Sequence, residues 1–279
     1  MTGVMDKQAS FQPETEKSAQ FYNEDCEDQL KLGRFMIKKL NIPKGAHVLD
    51  IGCGPGTLTV EIADDVGPTG NVIGIDLGEE RIKIALQTHK DPTLNTYRPN
   101  VSFIVGDAHN LSHFPDNHFD YVVANTVIHY LDLRKALKEA FRVLKPGGTF
   151  AASSVSGDHT CPPFAIKKEV QSRGYYRAHI APTMDLFDFP TQSGLEALFL
   201  DSGFQCASFD LIHSTLVRKD PRAMINYVDA SCSGTYIRSF PEAIQATAWA
   251  DFEAEFEKFR TERGIELEYV GMTAYATKA

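Results

Sequence analysis

No apolar run in the sequence approaches the roughly 18 residues needed to cross a bilayer. The first twenty residues are polar and lack the apolar core of a secretion signal. Membrane insertion and secretion are therefore not expected. The five cysteines, Cys26, Cys53, Cys161, Cys206 and Cys232, are widely spaced and form no C-x-x-C pair. That spacing disfavours a zinc site and a disulfide framework, and it fits a reducing, cytoplasmic setting. There is no dense Lys/Arg run, only isolated pairs such as Lys38-Lys39 and Lys167-Lys168, and the net charge is −9. A surface of that sign repels phosphate backbones, which argues against a nucleic-acid partner.

What is present is an ordinary globular composition over 279 residues, 43% hydrophobic and 23% charged. The length suits one large domain or one domain with insertions. Residues 1–20 read as a mobile leader and residues 21–279 as a single domain, with lid-like insertions at about 154–190 and 214–264.

The chain is organised around V-L-D-I-G-C-G-P-G-T, Val48 to Thr57. An apolar run ending in an acid and followed by three alternating glycines reads as a strand entering a tight turn. Gly52, Gly54 and Gly56 let the chain bend, and bare glycines let amide groups approach a cofactor at a helix N-terminus. A dinucleotide fingerprint places its third glycine five residues after the first. Here Thr57 holds that place and the glycine comes one residue earlier, which weakens a nicotinamide reading. A second strand is expected over Asn71 to Asp76. Asp76 lies 20 residues after Gly56, the interval at which an acid on the neighbouring strand accepts from ribose hydroxyls.

Further strands are expected at Val101–Val105, Phe119–Ala124 and Thr149–Ser153, alternating with amphipathic helices such as Leu133 to Leu144. Right-handed crossovers turn that alternation into a doubly wound, mostly parallel α/β sheet with ligands at the strand C-terminal ends. The glycine turn, Asp76, Asp107 and Asn125 all fall on that edge. The segment 154–190 is rich in Pro, Gly, His and aromatics and reads as a loop or lid. Later, Ile244, Ala248, Phe252, Phe256 and Phe259 form a helical stripe, read as core, with a homodimer surface as the alternative.

The acid-x-G-x-G-x-G run from Asp50 to Gly56, together with F-R-V-L-K-P-G-G before strand five, resembles the class I S-adenosylmethionine-dependent methyltransferases. The flavour is that of the small-molecule group that includes the ubiquinone/menaquinone type. The resemblance covers roughly Phe21 to Ser153. It implies a seven-stranded Rossmann-like sheet whose last strand is antiparallel, with S-adenosylmethionine as cofactor. Asp50, Gly52, Cys53, Gly54 and Gly56 would form the turn beneath it, with Cys53 as a small packing residue. Asp76 and Leu77 would hold the nucleoside, Asp107 would accept from the adenine amine beside a backbone contact at Ala108, and the Asn125 region would hold the methionine end. Tyr22 would close over the cofactor. His129, following strand four, lies where the resembled enzymes place residues between donor and acceptor, and it reads equally as a proton acceptor or as packing.

His109, His113 and His118 match no metal motif and are read as ordinary loop histidines, and the implied chemistry requires no metal. The expected activity is in-line methyl transfer to a small-molecule acceptor. Two alternatives stay open at this point: a fold relative that uses the cofactor to assist a cyclisation or rearrangement, and a non-catalytic cofactor-binding subunit.

Overall fold

A computed structural model describes residues 26–179, 189–231, 236–238 and 240–279. The reading of Tyr22 therefore lies outside the described residues, as do the leader and part of the first insertion. Two compact units are present. A sheet unit comprises Glu27–Asp158, Phe189–Ile212 and Gly271–Ala279, and the described part of a mainly helical unit comprises 26, 159–179, 213–231, 236–238 and 240–270.

In the sheet unit, α1 (Glu27–Leu40) has acids in its first turn and lysines in its last, complementing the helix dipole. Leu30, Leu32, Met36 and Ile37 are buried, while Phe35 is exposed. Then follow β1 (His47–Ile51), α2 (Thr57–Val66), β2 (Asn71–Asp76), α3 (Glu79–His89), β3 (Val101–Val105) and β4 (Phe119–Asn125). A 3-10 turn (Ile128–Tyr130) leads to α4 (Leu133–Val143), β5 (Leu144–Val155) and, after the first insertion, α7 (Gln192–Asp201). Thr191 caps α7 by accepting from the Gly194 N–H at 3.0 Å.

The helical unit contains α5 (Pro162–Ser172), α6 (Gly174–Arg177), α8 (Pro221–Ser231), α9 (Glu242–Glu257) and the short β7 (Arg260–Thr261). β6 (Gln205–Arg218) and β8 (Gly264–Thr277) contribute residues to both units.

The sheet runs β3-β2-β1-β4-β5-β8-β6, with β7 paired to β8 off that path. β1 is parallel to β2 on one side and to β4 on the other, so the order reverses between β1 and β4. That is where a crevice opens at the carboxyl ends of a doubly wound sheet. β8 is antiparallel to β5, from Thr149↔Thr277 to Val155↔Gly271, as expected for the last strand.

The apolar runs in β1, β2 and β4 are near-continuous because central parallel strands are covered on both faces. Phe119, Val122, Leu137, Phe150, Phe199 and Phe204 lie in one core, where Phe150 and Phe204 approach to 5.9 Å. Each such ring contributes about 2–3 kcal/mol by leaving water.

Three elements differ from the sequence expectation. The first insertion is helical over α5, which starts on Pro162-Pro163 and buries Ile166 and Val170. Proline suits a helix start because the amide it lacks has no intrahelical partner there. β5 begins at Leu144, earlier than the expected Thr149, because its pairing with β4 shifts between Phe119↔Leu144 and Tyr121↔Thr149 and accommodates Lys145-Pro146-Gly147-Gly148, with Gly147 at φ +80. α9 ends before Phe259, but Ile244, Ala248, Phe252 and Phe256 are buried within the helical unit's own core. The dimer surface is therefore not built from that stripe.

Candidate active site at the sheet switch point

β1 delivers Asp50 and Ile51 to a turn in which Gly52, Gly54 and Gly56 all have positive φ, +70, +55 and +87. L-residues with a side chain rarely adopt such angles. Two of these glycines are required by the protein itself. A Cβ on Gly52 would fall 2.5 Å from Val127 Cγ2, and one on Gly56 would fall 2.6 Å from the Phe103 ring. At Gly52 and Gly56 the chain leaving β4 and the Phe103 ring of β3 already fill the space a side chain would need. The Gly52 and Cys53 amides donate to the Ile75 carbonyl at 2.8 and 3.0 Å, which fastens the turn to β2.

Asp50 is fully buried and accepts from the Thr59 hydroxyl at 2.6 Å. Burial pushes its carboxyl up to about 7. Cys53 is buried against β2, where a Cβ on Gly74 would approach its side chain to 2.9 Å. Burial and the nearby Asp50 and Asp76 carboxylates hold its thiol well above the ordinary range, so it is not a reactive thiolate.

At the end of β2, Asp76 bridges two turns. One carboxylate oxygen accepts from the Gly54 N–H at 2.9 Å and the other from the Gly78 N–H at 2.8 Å. A carboxylate offers about four lone-pair sites, so two amides leave capacity for further donors. Leu77 beside it is 54% exposed, an apolar face at the carboxyl edge. Past β3, Asp107 Oδ1 accepts from the His109 N–H at 2.9 Å and faces His109 Nδ1 at 2.7 Å. Ala108 between them is buried.

At the end of β4, Asn125 accepts from the Ser153 hydroxyl at 2.5 Å and donates to the Gln29 carbonyl of α1 at 3.2 Å. Gly33 permits this close approach, since a Cβ there would lie 2.9 Å from the Asn125 side chain. Thr126 follows with φ +54, its amide donating to the Ser153 carbonyl and hydroxyl at 3.0 and 3.1 Å. A β-branched residue in that region is strained, and such strain clusters at ligand sites. The Thr126 hydroxyl oxygen is buried and, among the described residues, has no hydrogen-bond partner. His129 is buried, its ring tilted against Tyr130 and Phe189 with centroids 4.2 and 5.1 Å away, and its Nδ1 lies 3.5 Å from Ser154 Oγ.

These features fit a nucleoside cofactor with a charged amino-acid end. Two acids follow β2 and β3, the exposed Leu77 stands beside the first, and an unsatisfied hydroxyl follows β4. Sequence reasoning missed Gln29, Thr59, Thr126 and Ser153. The A-A-S-S-V of β5, two serines in an apolar strand, was the one signal that could have marked the last. His113 packs on Phe114, and His118 meets the edges of Phe119 and His47, as befits loop histidines.

A family model described as a methyltransferase domain matches residues 42–186. The demethylmenaquinone methyltransferase of Listeria welshimeri is 32% identical over 185 residues, covering 60% of this chain and 74% of that protein. Among solved structures, the YcgJ protein of Bacillus subtilis superposes with a TM-score of 0.58 at 20% identity, over 89% of this chain and 98% of that one. The (4+2)-cyclase SpnF superposes with a TM-score of 0.53 at 17% identity, over 89% and 81%. Likenesses at that level of identity establish the fold alone. No helix among the described residues is long and apolar enough to cross a membrane. The chain belongs to the methyltransferase domain family and is a class I S-adenosylmethionine-dependent methyltransferase acting on a small molecule.

Proposed function

We propose that the acceptor is a hydroxylated aromatic compound of quinol type, and that His129 takes the proton from its hydroxyl group. The observation that carries this reading is the setting of His129: a buried imidazole in the 3-10 turn that follows β4, with the rings of Tyr130 and Phe189 against it. Aromatic walls favour a planar apolar acceptor by offset and edge contacts. An imidazole is the side chain best suited to accept a proton near neutral pH. The name of the Listeria relative, a demethylmenaquinone methyltransferase, supports the same acceptor class.

When bound, S-adenosylmethionine supplies an electrophilic methyl carbon on its sulfonium. Asp76 would accept from the ribose hydroxyls, Asp107 from the adenine amine, and Leu77 would cover the ring. The Gly52 to Gly56 turn, with Asp50 and Cys53 packed beneath it, and the Asn125–Thr126 corner would hold the amino-acid end. Positioning in a site shielded from water then contributes most of the remaining rate.

The test is to incubate the purified protein with S-adenosylmethionine and a panel of quinols, phenols, amines and carboxylates, following S-adenosylhomocysteine release and product mass. Methylation of the hydroxylated aromatics supports the proposal. Methylation confined to amines or carboxylates overturns the acceptor assignment, and consumption of acceptor without a gain of one methyl group points to a rearrangement.

A further inference from the structure

The loop histidine His109 has a defined place in the site. Its Nε2 accepts from the Asp132 backbone N–H at 2.9 Å, so Nε2 is the bare nitrogen and Nδ1 carries the hydrogen. That hydrogen faces Asp107 Oδ1 across 2.7 Å, and the His109 amide donates to the same oxygen at 2.9 Å. The imidazole is 11% exposed and the carboxylate 32% exposed, so the histidine stands behind the acid and the acid faces outward. Asp132 is itself fixed, because its side chain caps α4 by accepting from the Lys135 N–H. One end of the imidazole is thus anchored on the start of a helix and the other end on the carboxylate.

We infer that His109 is a positioning residue that orients Asp107 toward the exocyclic amine of the adenine, and so sets the preference of the site for an adenosyl cofactor. The inference rests on the assignment of Asp107 to the adenine amine. Both His109 contacts converge on Oδ1, which fixes the rotation of the carboxylate and therefore the direction in which Oδ2 accepts. Loss of the ring removes this hold on Oδ1, so each donor the carboxylate meets would cost more ordering of the side chain. A histidine suits the task because its two ring nitrogens lie at opposite ends of one rigid ring, one donating and one accepting.

The experiment compares the affinities of the full chain for S-adenosylhomocysteine and for S-inosylhomocysteine, in which a carbonyl replaces the exocyclic amine. The ratio of the two, which a loss of general stability would not alter, is the readout. His109→Ala should shrink the wild-type preference roughly tenfold, the scale of one hydrogen bond to a charged group. His109→Asn, whose amide can replace the Nδ1 donor, should restore most of the preference. His109→Gln, whose amide reaches the Nε2 position instead, should not. If His109→Ala does not fold, the Asn and Gln variants carry the test by themselves. A wild-type ratio in His109→Ala, or equal restoration by Asn and Gln, overturns the inference. Asp107→Asn separates the underlying assignment. If it collapses the preference while the His109 variants leave it intact, the positioning role alone fails; if it leaves the preference intact, the adenine assignment fails and the inference with it.

Discussion

The backbone of Gly52 and the side chain of Val127 occupy adjoining space so closely that a Cβ on the glycine would lie 2.5 Å from Cγ2 and 2.7 Å from Cβ of the valine. The turn after β1 and the chain leaving β4 are therefore packed as one piece across the switch point of the sheet. Gly52→Ala should destabilise the fold by about 2–4 kcal/mol, from the left-handed φ and from overpacking. Val127→Ala in the same chain should recover only the part of the overpacking due to Cγ1 and Cγ2, since the Cβ that alanine keeps would still lie 2.7 Å away, and it should leave the cost of the backbone angle. Denaturant unfolding of the single and double variants measures both, and strict additivity would show that the two residues do not share the space.

Asp76 holds the glycine turn and the start of α3 through its two oxygens. Asp76→Ala should lower affinity for S-adenosylhomocysteine by roughly 1–3 kcal/mol, and Asp76→Asn, which keeps an acceptor and the side-chain volume, should fall between the two. Titration calorimetry checks the order. Unchanged affinity in a folded Asp76→Ala variant would remove the ribose role from this residue.

The buried Asp50 makes stability depend on pH in an unusual direction. Burial pushes its carboxyl up to about 7, from the ordinary 3.8 of an aspartate, with the Thr59 hydrogen bond opposing the shift and the Asp76 charge adding to it. Between about pH 4 and 7 the folded chain holds a proton that the unfolded chain has released, so this group's contribution falls as pH rises through that window. The full cost is present above about pH 7 and amounts to no more than about 5 kcal/mol. Asp50→Asn keeps an oxygen for Thr59 and abolishes the titration. Wild type minus variant stability should therefore decline from pH 4 to 7 and level off, and a flat difference would show that Asp50 ionises normally.

The features legible in the sequence are those set by local chemistry. Three glycines after an apolar strand and an acid at or just past the end of each of the next two strands, Asp76 and Asp107, can be read without knowing what packs on them. Features set by distant partners could not be read. Nothing near Gly52 announces Val127, and nothing near Asn125 announces Ser153 or the Gln29 carbonyl. α5 was hidden because its buried face includes Lys167 and Gln171 beside Ile166 and Val170, which blurs the apolar stripe. His109 was legible as a residue but not as a brace, since its accepting partner, the Asp132 amide, is a backbone group on another loop.

His129 separates proton transfer from packing. If it accepts a proton from the acceptor, His129→Gln and His129→Ala should lower kcat by roughly 100-fold or more while leaving S-adenosylhomocysteine affinity near wild type, because a general base acts in the transition state and contributes about 10²–10⁴-fold. The loss should be largest for acceptors with a hydroxyl proton to release, and smaller for a more acidic phenol that is already ionised in solution. A residue that merely packs against Tyr130 and Phe189 would behave otherwise: Gln would lower the unfolding temperature, weaken cofactor and acceptor binding together, and affect acidic and weakly acidic phenols alike. Steady-state kinetics across a series of phenols of graded acidity, alongside thermal unfolding of each variant, distinguishes the two. A kcat that falls equally for every member of the series would assign His129 to the wall of the site.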